Sequence, residues 1–97
     1  MIFKLLIKDE AIQDMLEAFD WYESKQAGLE TEFLNEVDEY QNRISQNPQQ
    51  YQIHKSQHIA VMHRFPFKIV YEIEGETIVV YAVYHDKRNP ETITGRL

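Results

Sequence analysis

The sequence contains no cysteine, and it has only three glycines and three prolines. The absence of cysteine excludes disulfide bonds and thiolate metal sites, and it fits a reducing compartment such as the cytoplasm. The longest apolar run, residues 78–84, is far too short to cross a bilayer. The first eight residues lack the apolar region and the cleavage site of a signal peptide. We therefore expect a cytoplasmic protein without a membrane segment.

Several motifs of catalysis and ligand binding are also missing. The sequence has no glycine-rich phosphate loop, no nucleophile elbow and no paired catalytic carboxylates. His54 and His58 are four residues apart, a spacing that binds metal on a helix, but their segment is not predicted to be helical and no carboxylate completes the set. We expect both histidines to be solvated, and we expect neither a metal nor a cofactor.

The length of the chain and its charge indicate the number of domains and the kind of target it could bind. The 97 residues fit one small domain, and the contents of 43% hydrophobic and 27% charged residues are close to globular averages. The net charge is −6, and residues 1–50 carry four basic and eleven acidic side chains. Residues 51–97 carry six basic and five acidic side chains and all four histidines. Any phosphate-rich target would therefore bind the second half, and we expect no direct binding to DNA.

The first half of the sequence predicts a strand followed by two helices. Residues 2–8 form the strand, and Asp9 is a suitable N-cap for the first helix. Two apolar stripes then recur at helical spacings, separated by residues 26–28. The stripes are Ile12, Met15, Leu16, Phe19 and Tyr22, then Leu29, Phe33, Val37, Tyr40 and Ile44.

Residues outside these stripes are predicted to face solvent. The second helix carries an acidic outer face, and residues 47–48, Asn-Pro, end the helix. Trp21 lies off the first stripe and is predicted either to be partly exposed or to cover the strand edge, whereas Tyr22 lies on the stripe and is predicted to be core. The acidic face consists of Glu30, Glu32, Glu36 and Glu39.

After Tyr51 the apolar period changes to two, which is typical of strands. Strands are predicted at residues 59–65, 67–73 and 78–85, with a tight turn at residues 74–76. The last strand is apolar on both faces and is therefore predicted to be central. The order strand, two helices and a three-strand meander predicts an α+β fold. Two antiparallel helices would pack on one face of a four-stranded, mostly antiparallel sheet.

Five segments resemble the RelE/ParE toxin superfamily, in the order usual for that family. They are AFDWYE at 18–23, GL at 28–29 with FLNEV at 33–37, ISQNP at 44–48, RFPFKIVY at 64–71 and AVYHDKRNP at 82–90. The most specific features are Arg-Phe-Pro-Phe before a strand and His-Asp-Lys-Arg-Asn-Pro after the last strand. The resemblance covers almost the whole chain and is nearer to the ParE-like branch.

This resemblance implies a bacterial toxin that a cognate antitoxin holds inactive. ParE-like members inhibit DNA gyrase by binding, and RelE-like members cut mRNA on the ribosome. The first hypothesis is therefore a ParE-like gyrase inhibitor, and the alternative is a ribosome-dependent endoribonuclease. A third hypothesis is a non-toxic, antitoxin-binding member, because His58 stands where the family usually has arginine and the net charge is −6.

The resemblance also points to a set of basic residues for target binding. Arg64 and Lys68 are predicted to lie on strands of the meander, and the other three follow the last strand. Residues 92–97 are a further candidate for gyrase contact. The alternative is a solvated sheet edge on which basic side chains block strand pairing. The set comprises Arg64, Lys68, His85, Lys87 and Arg88.

A RelE-like nuclease needs an acid and a base, and a cation for the developing phosphorane charge. His85 is the best acid or base, and Arg64 and Arg88 are the best cations. RelE-like nucleases often use a tyrosine in the C-terminal tail, but residues 91–97 contain none. This absence favours a protein that binds its target rather than an enzyme.

Three apolar residues are candidates for antitoxin binding: Ile59, Met62 and Val70. They could line a groove between sheet and helices that takes an extended or helical partner segment. The alternative for each residue is ordinary core packing.

Overall fold

The computed structural model describes residues 3–87 and confirms the α+β class. Two helices pack on one face of a sheet, and a short 3₁₀ turn, Pro48–Gln50, follows the second helix. The helices are α1 (Asp9–Lys25) and α2 (Leu29–Gln46), and the strands are β1 (Lys4–Ile7), β2 (Gln52–His54), β3 (Gln57–Val61), β4 (Phe67–Glu74) and β5 (Thr77–His85).

The sheet has five strands in the order β1-β5-β4-β3-β2. The strands from β2 to β5 are antiparallel to their neighbours, and β1 pairs parallel to β5 as far as Ile7 and Val80. The predicted interior position of β5 is confirmed. The sequence prediction missed β2, which has three residues and pairs with β3 across a two-residue turn at Lys55 and Ser56, both with positive φ. That geometry is typical of a tight hairpin turn.

The main hydrophobic core lies between the sheet and the helices. Its centre is formed by fully buried side chains of α2, β4 and β5: Phe33, Val37, Ile44, Ile69, Tyr71, Ile78, Val80 and Val83. A smaller cluster lies on the opposite face of the sheet, where Ile59 packs against buried Val70, Ala82 and Tyr84. The sheet is therefore apolar at its centre on both faces.

The apolar stripe of α2 is buried as predicted from Phe33 to Ile44, with Leu29 partly buried, but the prediction for α1 is partly wrong. The buried residues of α1 are Ala11, Asp14 and Ala18, whereas Ile12 and Leu16 are 42% and 53% exposed. The buried face is rotated because small residues allow α1 to approach β5 closely. Asp9 is also not the N-cap, since Lys8 holds that position without a side-chain hydrogen bond.

Three connections differ in how well the sequence patterns predicted them. Gly28 and Gly75 adopt positive φ angles of 91° and 62°, which explains glycine at the α1–α2 and β4–β5 turns. By contrast, β3 ends at Val61 rather than at residue 65. Residues 62–66 form a loop that leads into β4. Neither helix in the described part of the chain is long and apolar enough to cross a membrane.

Candidate functional site at the basic end of the sheet

The loop between β3 and β4 is held by a buried carboxylate from α2. Both oxygens of Glu36 accept backbone hydrogen bonds, from Arg64 N–H at 2.7 Å and from Phe65 N–H at 2.9 Å. Hydrogen bonds to an ionised acceptor are among the stronger ones in proteins. The prediction that Glu36 faces solvent is therefore wrong, because this side chain fixes the start of the Arg-Phe-Pro-Phe segment.

Arg64 lies in this loop and not on a strand, which corrects the sequence prediction. Its guanidinium forms an ion pair with Glu32 of α2 and lies 5.6 Å from the centre of the Phe65 ring. The side chain is 59% exposed, so it remains accessible to a partner. Any target that binds Arg64 has to compete with Glu32 or also contact it.

An aromatic cluster connects Arg64 to His85. Tyr22, Phe33, Phe65 and Phe67 have ring centres between 4.9 and 6.2 Å apart, mostly in tilted or edge-to-face arrangements. Such arrangements are favourable for aromatic pairs. The cluster confirms the core position of Tyr22, where burial raises the pKa of the phenol above its ordinary value. The cluster packs this end of the sheet against both helices.

His85 ends β5 on the helix-facing side of the sheet. Its ring contacts Phe67 edge-to-face at 5.3 Å, and its Nδ1 accepts a hydrogen bond from the backbone N–H of Lys87 at 3.1 Å. The side chain is half-buried, with Nε2 left as its other polar atom.

Lys68 is separated from His85 by the sheet. It is the neighbour of Phe67 on β4, so its side chain leaves the opposite face, and its ammonium lies 3.7 Å from the Asp86 carboxylate. Lys87 is exposed in the turn after β5. The four described residues of the basic set therefore do not form one patch on one face of the sheet. Arg88 and residues 92–97 lie outside the described residues.

The three antitoxin candidates do not share one groove. Met62 is buried in the core between sheet and helices. Ile59 and Val70 are paired across β3 and β4 on the opposite face, in the smaller apolar cluster. A groove between sheet and helices cannot include all three, so Ile59 and Val70 remain together as candidates and Met62 is separate.

The two histidines at the β2–β3 hairpin behave differently. His54 is exposed, as predicted, but His58 is buried, and its Nδ1 lies 3.0 Å from the Tyr51 carbonyl oxygen. The His58 ring stacks on Tyr71 at 5.1 Å, and the Tyr71 hydroxyl donates to the Pro48 carbonyl at 2.6 Å. The prediction of a solvated His58 is therefore wrong. Among the described residues, no group of three metal-ligating side chains could hold an ion.

A second candidate site is a groove between α1 and the end of β5, which we call the α1–β5 groove. Its volume is about 340 Å³, and it is lined by Asp14, Glu17, Ala18, Trp21, Phe67, Val83, Tyr84 and His85. Trp21 is 58% exposed, which confirms the sequence prediction for this residue. No sequence pattern indicates the groove, because Asp14 and Ala18 are not on the predicted apolar stripe.

The model of the ParE toxin of the type II toxin–antitoxin system parDE matches residues 5–90. The chain belongs to the ParE toxin family. The match includes both helices, the whole meander and the turn after β5.

Solved structures share the fold. A chain of the chromosomal ParDE toxin–antitoxin system from P. aeruginosa aligns with a TM-score of 0.77 and 15% identity, covering 87% of this chain and 96% of that chain. A chain of the RelBE2 toxin–antitoxin complex from Mycobacterium tuberculosis aligns with a TM-score of 0.61 and 16% identity, covering 88% and 99%. No curated protein matches the sequence.

Proposed function

We propose that this ParE-family toxin acts by binding DNA gyrase and blocking replication, without chemistry of its own. In the cell it would be cytoplasmic and held inactive by a cognate antitoxin. The ParE family match over residues 5–90 carries the proposal. The contacts that we assign to gyrase are Arg64, Lys87 and Arg88 and the segment 92–97, of which Arg88 and the segment lie outside the described residues.

The arrangement of Arg64 and His85 supports binding over cleavage. A phosphodiester-cleaving site needs its acid, base and cation to converge on one reacting atom. Arg64 is directed to Glu32 on α2, whereas His85 lies against Phe67 at the α1–β5 groove. The aromatic cluster stands between them. Within residues 3–87 these two side chains therefore do not form an evident nuclease site.

Charge also favours a protein target over RNA. The helices α1 and α2 together carry eleven acidic and two basic side chains. They lie beside Arg64, and their field repels a phosphate backbone. A protein surface that presents both charge signs can contact Arg64 and its partner Glu32 at the same time.

A test with purified components is a supercoiling assay with gyrase and the purified chain. We expect inhibition by the wild-type chain and its loss in Arg88→Ala, with unchanged circular dichroism. Lys55→Ala is the matched control, because Lys55 is an exposed cation in the β2–β3 turn, away from the proposed surface. It should inhibit like wild type.

The possible results test gyrase as the target and Arg88 as a contact residue separately. Full inhibition by Arg88→Ala would reject Arg88 as a contact while leaving gyrase as the target. No inhibition by the wild-type chain, together with cleavage of mRNA in a translating extract, would support the RelE-like alternative. Loss of that cleavage in His85→Ala or Arg64→Ala would then assign the catalytic groups.

A further inference from the structure

The α1–β5 groove runs beside β5 beyond the end of its pairing with β1. The strand β1 pairs with β5 only as far as Val80, so residues 81–85 continue beyond that pairing. Beyond Val80, the Asp14 carboxylate accepts a hydrogen bond from Val83 N–H at 3.1 Å. Asp14 of α1 thus takes the position at which a neighbouring strand would pair with Val83. A segment bound in the groove would therefore make its contacts through side chains rather than by adding a strand at Val83.

The walls of the groove are apolar on one side and acidic on the other. Phe67, Val83 and the Trp21 ring form the apolar side, and the Glu17 carboxylate lies on the exposed rim beside buried Asp14. The Lys25 ammonium lies 4.2 Å from the centre of the Trp21 ring. The tryptophan face therefore already holds a cation, which is the geometry of a cation–π contact.

Acidic residues on both helices add to the negative charge beside the groove. Residues 9–46 hold eleven of the sixteen acidic side chains in the sequence but only two of its ten basic ones. A segment approaching along α1 therefore meets a strongly negative field, which attracts lysine and arginine and repels aspartate and glutamate. The groove volume of about 340 Å³ is near the lower end of the range for ligand sites, roughly 300–1,000 Å³. That space suits side chains of a peptide better than a large cofactor.

We propose that the α1–β5 groove binds an extended segment of the antitoxin in which apolar and basic side chains alternate. An apolar side chain would enter between Trp21 and Phe67, and a lysine or arginine would face Glu17. Because side chains of an extended chain alternate between two sides, one segment can supply both contacts. The inference rests on the proposed function only in naming the antitoxin as the protein that carries this segment.

Trp21 makes the proposal measurable, because it is the only tryptophan of the chain. The probe is a synthetic eight-residue peptide of alternating valine and lysine with blocked ends, titrated into the full purified chain. We expect the Trp21 emission to shift to shorter wavelength with saturable binding. Binding should weaken as salt rises, since the attraction is partly between charges. A peptide with glutamate in place of lysine should not bind.

Two charge-reversal variants on α1 distinguish binding in the groove from attraction by the overall negative charge of the helices. Glu17→Lys should raise the Kd of the valine–lysine peptide roughly tenfold, because an attraction becomes a repulsion. Glu23→Lys changes the net charge equally at an exposed position of α1 that does not line the groove. It should raise the Kd by less than about threefold.

Three results would overturn the proposal. They are equal binding of the glutamate peptide, equal loss in the two variants, and a Trp21 shift that depends on protein concentration without peptide. The last result would indicate a second copy of this chain in the groove. The titration contains neither gyrase nor cells, so its failure leaves the supercoiling assay unaffected, and failure of that assay leaves the titration unaffected.

Discussion

The two helices differ in how much of their apolar surface is buried against the sheet. In α2 the apolar stripe is buried from Phe33 to Ile44, and Glu36 holds the loop before β4 with two hydrogen bonds. In α1 the buried face consists of two alanines and Asp14, and three large apolar side chains are exposed: Ile12, Leu16 and Trp21. The difference indicates that α2 mainly stabilises the domain, whereas α1 retains surface for a partner.

The largest expected effect comes from truncating the same residue type on each helix. Ile44 of α2 is fully buried, so Ile44→Ala should lower the free energy of unfolding by about 3 kcal/mol through lost burial and a cavity. Ile12→Ala on α1 should change it by less than about 0.5 kcal/mol, since that side chain is 42% exposed. Urea denaturation measures both. Equal losses would contradict the division of roles between the helices.

The buried carboxylates provide the second test. Glu36→Gln should destabilise the domain by about 2 kcal/mol, because an amide cannot accept from both the Arg64 and Phe65 N–H groups as a carboxylate does. Asp14→Asn should cost less, about 1 kcal/mol, because the amide oxygen of asparagine can still accept the hydrogen bond from Val83 N–H. Thermal unfolding of both variants ranks them. Glu39→Gln, at an exposed position of α2, is the control and should be close to wild type.

The smallest expected effect comes from removing a hydrogen bond to the 3₁₀ turn that follows α2. Tyr71→Phe removes the hydrogen bond to the Pro48 carbonyl and should cost about 1 kcal/mol at neutral pH. Burial raises the pKa of Tyr71 above its ordinary value of 10.0, so the native state holds this proton more tightly than the unfolded chain does. The contribution is therefore complete below pH 10 and declines as the pH rises above it. Stability measured between pH 8 and pH 11 should fall more steeply for wild type than for Tyr71→Phe, and parallel curves would contradict this assignment.

The parts that sequence patterns predicted share a physical cause. The stripe of α2, the alternation of β4 and the continuous apolar run of β5 involve large apolar residues in long elements, where such patterns are strongest. Three-residue β2 has no such pattern, and it forms because β3 offers a strand edge beside it. The rotation of α1 escaped prediction because the contact with β5 uses alanine and aspartate, which a hydrophobic pattern does not count.

The site was less predictable for a related reason. Sequence patterns and family resemblance placed Arg64 and Lys68 on strands of one surface, but Glu36 ends β3 early by capturing the Arg64 and Phe65 amides. A buried carboxylate on one element and two backbone donors 28 and 29 residues away leave no local pattern. Glu36 and Asp14 could be found only once the helices were placed against the sheet.

The most direct test of the proposed function is pulse-labelling of DNA and protein synthesis in a bacterial host after induced expression of this chain alone. A ParE-like gyrase inhibitor should stop DNA synthesis first, with protein synthesis continuing until later. Protein synthesis stopping first would contradict gyrase as the target and favour action on mRNA at the ribosome. Continued synthesis of both, with the folded chain present, would instead support the non-toxic, antitoxin-binding alternative.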